Sequence, residues 1–511
     1  MSVSSTSVPP DAAAVQAVPV PASGAPVSAT PPMSSGAQGE AVRGGAYTII
    51  GYLLTQSIRV GGSIALTRVL DSEAYGIMAI VNTFLVALAL FSDIGIGPSI
   101  IQNPNADEPK FLNTAWTLQL GRGLVLFTVA VLMAQPLAWF FEVPALAVLV
   151  PVSAFSALIA GFQSTKHYSV QRHLDLGRLT LIEVLSALVA LIVMLIWAFV
   201  SPSVWALVAG GLAGVATDVL LSHLILDGYN GRFGWNKDVA RTMLRFGRWI
   251  FVSTLLTFAV NQADRLIFAK MIPLSLLGVY SIALTVAMVP ALAMRSLAGR
   301  VIFPLFSRAH RDDAQLASVF RSARRLHLVL SGWALSGFIG GGVVAIQLVF
   351  DERYYEAGWM LQLLAIANWC GTPEATNSSA ALACGQPRWV AAGNFGKLLG
   401  MLVFMPLGYW LWEFPGALLG FVGSELLRYA ASAIAAYKLG LPALRQDLGF
   451  SLVVAASSLV GWYTTRALDA SGVHVVLQAL AVFVVVTLCW LPWLWRYLGA
   501  VKERLLRRHV G

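Results

Sequence analysis

Ionisable residues inside otherwise apolar stretches are where this chain could do chemistry. Four are cations: Arg59, Arg122, Lys397 and Arg428. Charge at bilayer depth is costly and is kept where it faces a polar interior or a water-filled cavity. Together the four predict a cavity that attracts an anionic substrate. Arg122 stands between Gly121 and Gly123, which leave space for its long side chain. Glu425, three residues before Arg428 on the same helical face, predicts an ion pair there. Lys397 is near enough to the end of its segment to reach the membrane surface. Arg59 and Arg122 are therefore the preferred cavity cations, and alanine at either is expected to abolish function without lowering the amount of protein.

The acids in apolar segments are Asp93, Glu183, Asp218, Asp264 and Glu425. Desolvation raises a carboxylate's pKa and can make it a proton or sodium site. Asp93 and Glu183 lie near segment ends, where hydration or capping explains them. Asp218 is about two helical turns from its end and is a candidate for ion coupling. Asp264 and Arg265 are adjacent and cannot face each other on a helix. Each is expected to pair with another helix, as a buried ion pair or as a coupling site.

Catalytic signatures are missing. The chain has no Walker A sequence, no GxSxG, no HExxH and no Asp-rich nucleotide-sugar motif. Asn377-Ser-Ser matches a glycosylation sequon but falls inside an apolar segment. The three cysteines, Cys370, Cys384 and Cys489, have neither disulfide nor zinc spacing. No catalytic residue, metal site or cofactor is expected, and the chain is read as a non-enzyme.

These residues must be positioned by membrane-spanning helices. The 511 residues are 57% hydrophobic and 12% charged, with mean hydropathy +0.73, whereas a soluble domain carries about a quarter charged residues. Apolar segments near the ~20 residues that cross a bilayer fall at about 46–68, 75–98, 112–135, 145–165, 179–200 and 204–226. After a basic loop, Asp227 to Arg248, they continue at about 248–270, 277–299, 326–350, 359–383, 389–411, 416–437, 447–466 and 474–495. Placing the basic loop in the cytoplasm also places there the arginines of 300–325 and of the C-terminal tail, while outward loops hold only Arg68, Lys270, Arg353 and Arg466. The net charge of +9 is thus retained inside, without nucleic acid as a partner. Outward loops are too short for the external domain of a glycosyltransferase or polymerase. Phe303 to His327 reads as an amphipathic helix lying on the anionic inner leaflet.

The fold expected is an all-α polytopic membrane protein of about 14 transmembrane helices. Residues 1–44, rich in Ala, Pro, Ser and Val, are a disordered cytoplasmic tail. Residues 45–227 form a six-helix lobe, 228–247 a basic linker, 248–440 a second six-helix lobe, and 441–511 two extra helices and a basic tail. The two lobes enclose a central cavity. Arg68 to Gly76 is echoed by Lys270 to Gly278, and Ile80 by Ile282, at an offset of 202 residues. Both halves begin inside, which predicts parallel repeats about an axis along the membrane normal.

The chain resembles the polysaccharide-transporter, or oligosaccharide-flippase, branch of the multidrug/oligosaccharidyl-lipid/polysaccharide exporters. The likeness spans roughly residues 45–440. It rests on LTRVLDSEAYGIMAI, SDIGIGPSIIQ, YSVQRHLDLGRLTLIE, NQADRLIFAK, LLGVYSIA and FPLFSRAHRDD, in that order. The resemblance implies two lobes of helices that alternate access, so that an undecaprenyl-pyrophosphate-linked oligosaccharide passes between leaflets for capsule, O-antigen or exopolysaccharide synthesis. It implies a bacterial inner-membrane protein working on a lipid-linked oligosaccharide among membrane lipids, with a polysaccharide polymerase and export machinery as further partners. A multidrug/cation antiporter of the same superfamily is the alternative. It would want acids rather than arginines at the cavity centre. A membrane glycosyltransferase or polymerase ranks third.

Overall fold

The computed structural model describes residues 51, 54–91, 96, 100, 108–172, 176–229, 231–297, 302, 306 and 313–509. The tail expected at 1–44 and Asp93 lie outside them. The regular elements are helices, one of them a short 3-10 turn. The first, α1, covers 54–67. Then come α2 (Ser72–Phe91), α3 (Pro109–Phe141), α4 (Leu146–Gly161), the short α5 (Lys166–Arg172), α6 (Leu176–Val200) and α7 (Trp205–Leu224). The second half holds α8 (Lys237–Met271), α9 (Leu274–Leu297), α10 (Asp313–Val349), α11 (Ala357–Ala383), α12 (Arg388–Lys438), α13 (Leu444–Ala470) and α14 (Val475–His509).

Among the described residues, nine helices are long and apolar enough to cross a membrane, so the chain is a multi-pass membrane protein. The expected fourteen is not reproduced by that measure. α4 has only 16 residues, and α11 carries Asn368, Glu374 and Asn377 along its length. α12 is a hairpin rather than a rod. Glu413, at φ 53° and ψ −142°, turns the chain back on itself. Its two arms touch so closely that a Cβ on Gly408 would lie 2.1 Å from the Gly416 carbonyl oxygen.

α8 begins at Lys237, inside the segment expected to be a linker. Asn236 caps it, its side chain accepting from the backbone of Asp238 (3.0 Å) and Val239 (3.1 Å), which satisfies amides that an open helix end leaves unpaired.

The largest apolar cluster crosses between the halves, joining Ile77, Val81 and Phe141 to Phe268, Leu277 and Tyr280. A second cluster holds α13 and α14 against α10 and α11 through Trp490, Phe450, Leu328 and Trp369. The last two helices therefore support the second lobe.

Of the segment Phe303 to His327, read as a surface helix, residues 303–305 and 307–312 lie outside the described residues, and the structure corrects the rest. Residues 313–327 are the first turns of α10, and Leu316 and Phe320 pack with Ile302, Phe306 and Ala380. Arg324 is fully buried. Its guanidinium donates to both carboxylate oxygens of Asp447 at 2.6 and 2.7 Å, to the Pro373 carbonyl at 3.0 Å and to Asn377 Oδ1 at 2.7 Å. Tyr429 donates to Asp447 at 2.8 Å. The side chain thus ties α10, α11, α12 and α13 together. Removing one partner of a buried pair strands the other charge, so Arg324→Ala is expected to cost about 3–5 kcal/mol. The check is the melting temperature in detergent, where Arg324→Ala and Asp447→Ala should fall together and their combination should be far from additive.

Candidate functional site

At one end of the molecule the two halves meet reciprocally. A Cβ on Gly76 would stand 2.0 Å from the Leu274 carbonyl oxygen, and one on Gly278 would stand 1.8 Å from that of Ser72. Leu274 and Gly278 follow Ser72 and Gly76 at the same offset of 202 residues. The first turns of α2 and α9 therefore cross about a local two-fold, at a distance only glycine permits. The offset seen in the sequence is a contact in space.

The flanking ion pairs repeat this exchange. Arg353, just after α10, donates to Asp71, just after α1, at 2.8 Å. Lys270, near the end of α8, donates to Glu142, just after α3, at 2.7 Å. In both cases the end of a half's first helix binds the end of the other half's third. Tyr354 adds a hydrogen bond to the Leu70 carbonyl at 3.1 Å.

Beneath this closure lies a cavity of about 470 Å³, bounded by α1, α2, α4, α6, α7, α8 and α9. Its polar lining includes Ser63, Asn82, Ser153, Ser156, Ser281 and Thr285. The one charged group that the described residues give it is Arg265, steadied by Gln262 on its own helix. Two of the lining hydroxyls, Tyr75 Oη and Ser153 Oγ, are buried without a hydrogen-bond partner. Buried polar atoms are nearly always paired, so both hydroxyls are available to a polar group in the cavity. A single guanidinium among hydroxyls and an amide suits an anion carrying sugar hydroxyls.

The predicted site residues distribute differently. Arg265, expected in an ion pair with another helix, is the cavity cation. Its neighbour Asp264 is buried and accepts a hydrogen bond from Tyr280 of α9. Arg122 donates to the Ala89 carbonyl near the end of α2 at 2.7 Å and does not line the cavity, which corrects that expectation. Arg59 does not line it either. It is exposed, one turn from Ser63 on the same helical face.

The surface reach expected of Lys397 is corrected, whereas the ion pair expected between Arg428 and Glu425 is present. Lys397 is buried and donates to Glu425 at 2.5 Å instead of reaching the surface. Arg428 bonds Glu374 of α11 and lies 3.6 Å from Glu425. These four charges hold α11 to both arms of α12, and Arg428 and Glu425 border only a small space of about 50 Å³ inside the second lobe. Sequence reasoning missed Glu374, although it sits mid-way along the expected span 359–383. Asp218 accepts from Gln163 at 2.7 Å, at the end of lobe one away from the closure. Glu183 is exposed. Among the described residues no cluster of His, Cys, Asp or Glu could hold a metal ion.

The fold is shared with a lipid II flippase, MurJ, in an inward closed conformation, at TM-score 0.67 and 12% identity, covering 89% of this chain and 99% of that one. In sequence the chain is similar to the lipopolysaccharide biosynthesis protein WzxC of Escherichia coli (strain K12), 23% identical over 64% of this chain and 66% of the relative. It is also similar to the teichuronic acid biosynthesis protein TuaB of Bacillus subtilis (strain 168), 24% identical over 81% of this chain and 87% of the relative. The family profile described as polysaccharide biosynthesis protein matches residues 65–358, more than half of the chain, and the chain belongs to that family.

Proposed function

We propose that this chain moves an undecaprenyl-pyrophosphate-linked oligosaccharide repeat unit across the bacterial inner membrane by alternating access, for capsule, O-antigen or exopolysaccharide synthesis. It is a transporter and not an enzyme. The observation that carries the reading is the cavity itself: Arg265 as its charge, hydroxyls around it, and Tyr75 Oη and Ser153 Oγ unpartnered. The diphosphate would meet Arg265, the sugars would meet the hydroxyls, and the polyprenyl chain would stay in lipid. A cationic drug would want a carboxylate there, and the described lining has none. The name of the Escherichia coli relative, a lipopolysaccharide biosynthesis protein, and that of the structural neighbour, a lipid II flippase, support the same class of substrate. Both termini are read as cytoplasmic, so the Gly76–Gly278 end faces outward and the structure is closed on that side. A polymerase and export machinery would receive the unit there.

The test is a strain lacking the protein. A completed lipid-linked repeat unit should accumulate in the inner leaflet while surface polymer is lost. Normal polymer with new drug sensitivity would reverse the assignment.

In this reading the two exchanged ion pairs are an outward latch. They are solvent-exposed, so each contributes little and breaks readily. Lys270 holds the Glu142 carboxyl below its ordinary value of 4.5. A carboxylate lowered in the closed state favours closure at neutral pH and loses that effect as pH falls through its lowered value. Combining Glu142→Gln with Arg353→Gln should favour the outward-open state a few-fold. In a background without native cysteines, Ser153→Cys should then react faster with an impermeant thiol reagent added outside. An unchanged rate would show that the ion pairs do not hold the closure.

A further inference from the structure

The basic loop before α8 has no role in the transport cycle described above, yet it is built rather than slack. Tyr229 and residues 231–236 lie along the first turns of α3. Asn113 donates to Tyr229 Oη at 3.2 Å and accepts from the Arg232 backbone at 2.7 Å. The Gly234 amide donates to Thr117 Oγ1 at 3.1 Å, and that of Asn236 to the buried Thr114 Oγ1 at 3.1 Å. A Cβ on Gly231 would stand 3.0 Å from Trp116, and one on Gly234 would stand 3.0 Å from Asn113, so both glycines let the backbone lie flat. What this mounting presents outward is Phe233, 76% exposed, and Trp235, 63% exposed.

The face of α3 that carries the loop continues as an exposed apolar face. Asn113 and Thr117 share a helical stripe with Gly121 and Val125, beside Leu124, Thr128 and Leu132. Leu124, Val125 and Leu132 are 56%, 59% and 68% exposed. At about 1.5 Å per residue, Leu124 stands roughly 10 Å along the axis from Thr117. That is the separation between hydrocarbon and headgroup depth, where Trp and other amphipathic aromatics settle. Around the two rings Lys110, Arg232, Lys237 and Arg241 are exposed, against the exposed acids Glu108 and Asp238. Basic charge beside a membrane surface attracts acidic lipids.

We infer that residues 231–241, the end of this loop and the first turn of α8, are a lipid-surface anchor, with Phe233 and Trp235 seated among anionic phospholipid headgroups at the end of the membrane where α3 begins. Because its hydrogen bonds run to α3, the anchor fixes the first lobe to the leaflet and leaves α8 as the element that carries motion to the second.

The experiment uses the full chain in vesicles of phosphatidylcholine mixed with phosphatidylglycerol, with a nitroxide at Trp235→Cys and, separately, at Phe233→Cys. Collisions with oxygen should exceed those with a neutral nickel chelate severalfold at both positions. The difference should shrink in phosphatidylcholine alone, and Arg232→Gln with Lys237→Gln should remove that dependence on lipid charge. A nickel chelate that reaches both labels as freely as in water would overturn the anchor. Protection lost on diluting the protein in lipid would overturn it too, assigning the surface to a second copy. Protection that ignores lipid charge would overturn the anionic preference.

Discussion

Leucine at Gly278 is expected to abolish polysaccharide export while leaving the amount of protein in the membrane unchanged. Even a single Cβ there would meet the Ser72 carbonyl oxygen at 1.8 Å, and backbone at a helix start cannot move aside as a flexible side chain can. The clash lies between the halves, so each lobe keeps its own packing while the closure at this end is lost. Overpacking costs about 1–3 kcal/mol or more. Set against one of two interconverting states, that shifts their populations about tenfold to a hundredfold or beyond. Leucine at Gly76, which faces the Leu274 carbonyl at 2.0 Å, should act alike. Alanine, which carries the same Cβ, should already lower export at either position, though less than leucine. The measurement is surface polymer in complemented cells against protein level by immunoblot. Full export with leucine at both positions would show that the close crossing of α2 and α9 is not part of the cycle.

Arg265→Ala is expected to have a comparable effect by a different route. A hydrogen bond to a charged partner contributes about 1.5–3 kcal/mol, so its loss should lower transport roughly tenfold to a hundredfold. The fold should tolerate the change, because the contact seen for the guanidinium is with Gln262 on the same helix. Arg265→Lys keeps the charge but not the planar fork that grips two phosphate oxygens, and should be intermediate. Arg122→Ala should be much milder than the sequence alone implies, since that guanidinium is spent on the Ala89 carbonyl. Arg59→Ala should slow entry without abolishing transport, being one turn from the lining residue Ser63. Wild-type export in Arg265→Ala would remove the anion-binding account of the cavity.

The difference between those arginines shows what was legible in the sequence. Apolar run length is a local property, so the starts and ends of α7 and α13, and the starts of α2 and α9, lie within a few residues of where hydropathy places them. The repeat was legible too, through Gly76 and Gly278. Depth along a span was readable, but which way a side chain points was not. Arg122 and Arg265 both lie within spans, yet only the packing of neighbouring helices turns one into the cavity and the other toward α2.

A signal for the cavity did exist. Ser281 with Thr285, and Ser153 with Ser156, recur at helical spacing, marking one polar stripe on each of two otherwise apolar helices. Pairings across distant helices had no such local sign. Arg324 with Asp447 spans 123 residues, and Arg428 with Glu374 spans 54. Arg324 and Lys397, near segment ends, therefore read as surface charge when they were core.

The most direct test of the account is translocation by the purified protein. It would be placed in vesicles holding a fluorescent polyprenyl-diphosphate oligosaccharide, and the fraction of label reached by an impermeant quencher followed over time. The account predicts exchange between leaflets in vesicles with the protein, none in empty vesicles, and a rate reduced at least tenfold by Arg265→Ala, as the lost charged hydrogen bond requires. Label that stays in its leaflet, with wild-type protein folded and oriented, would contradict it.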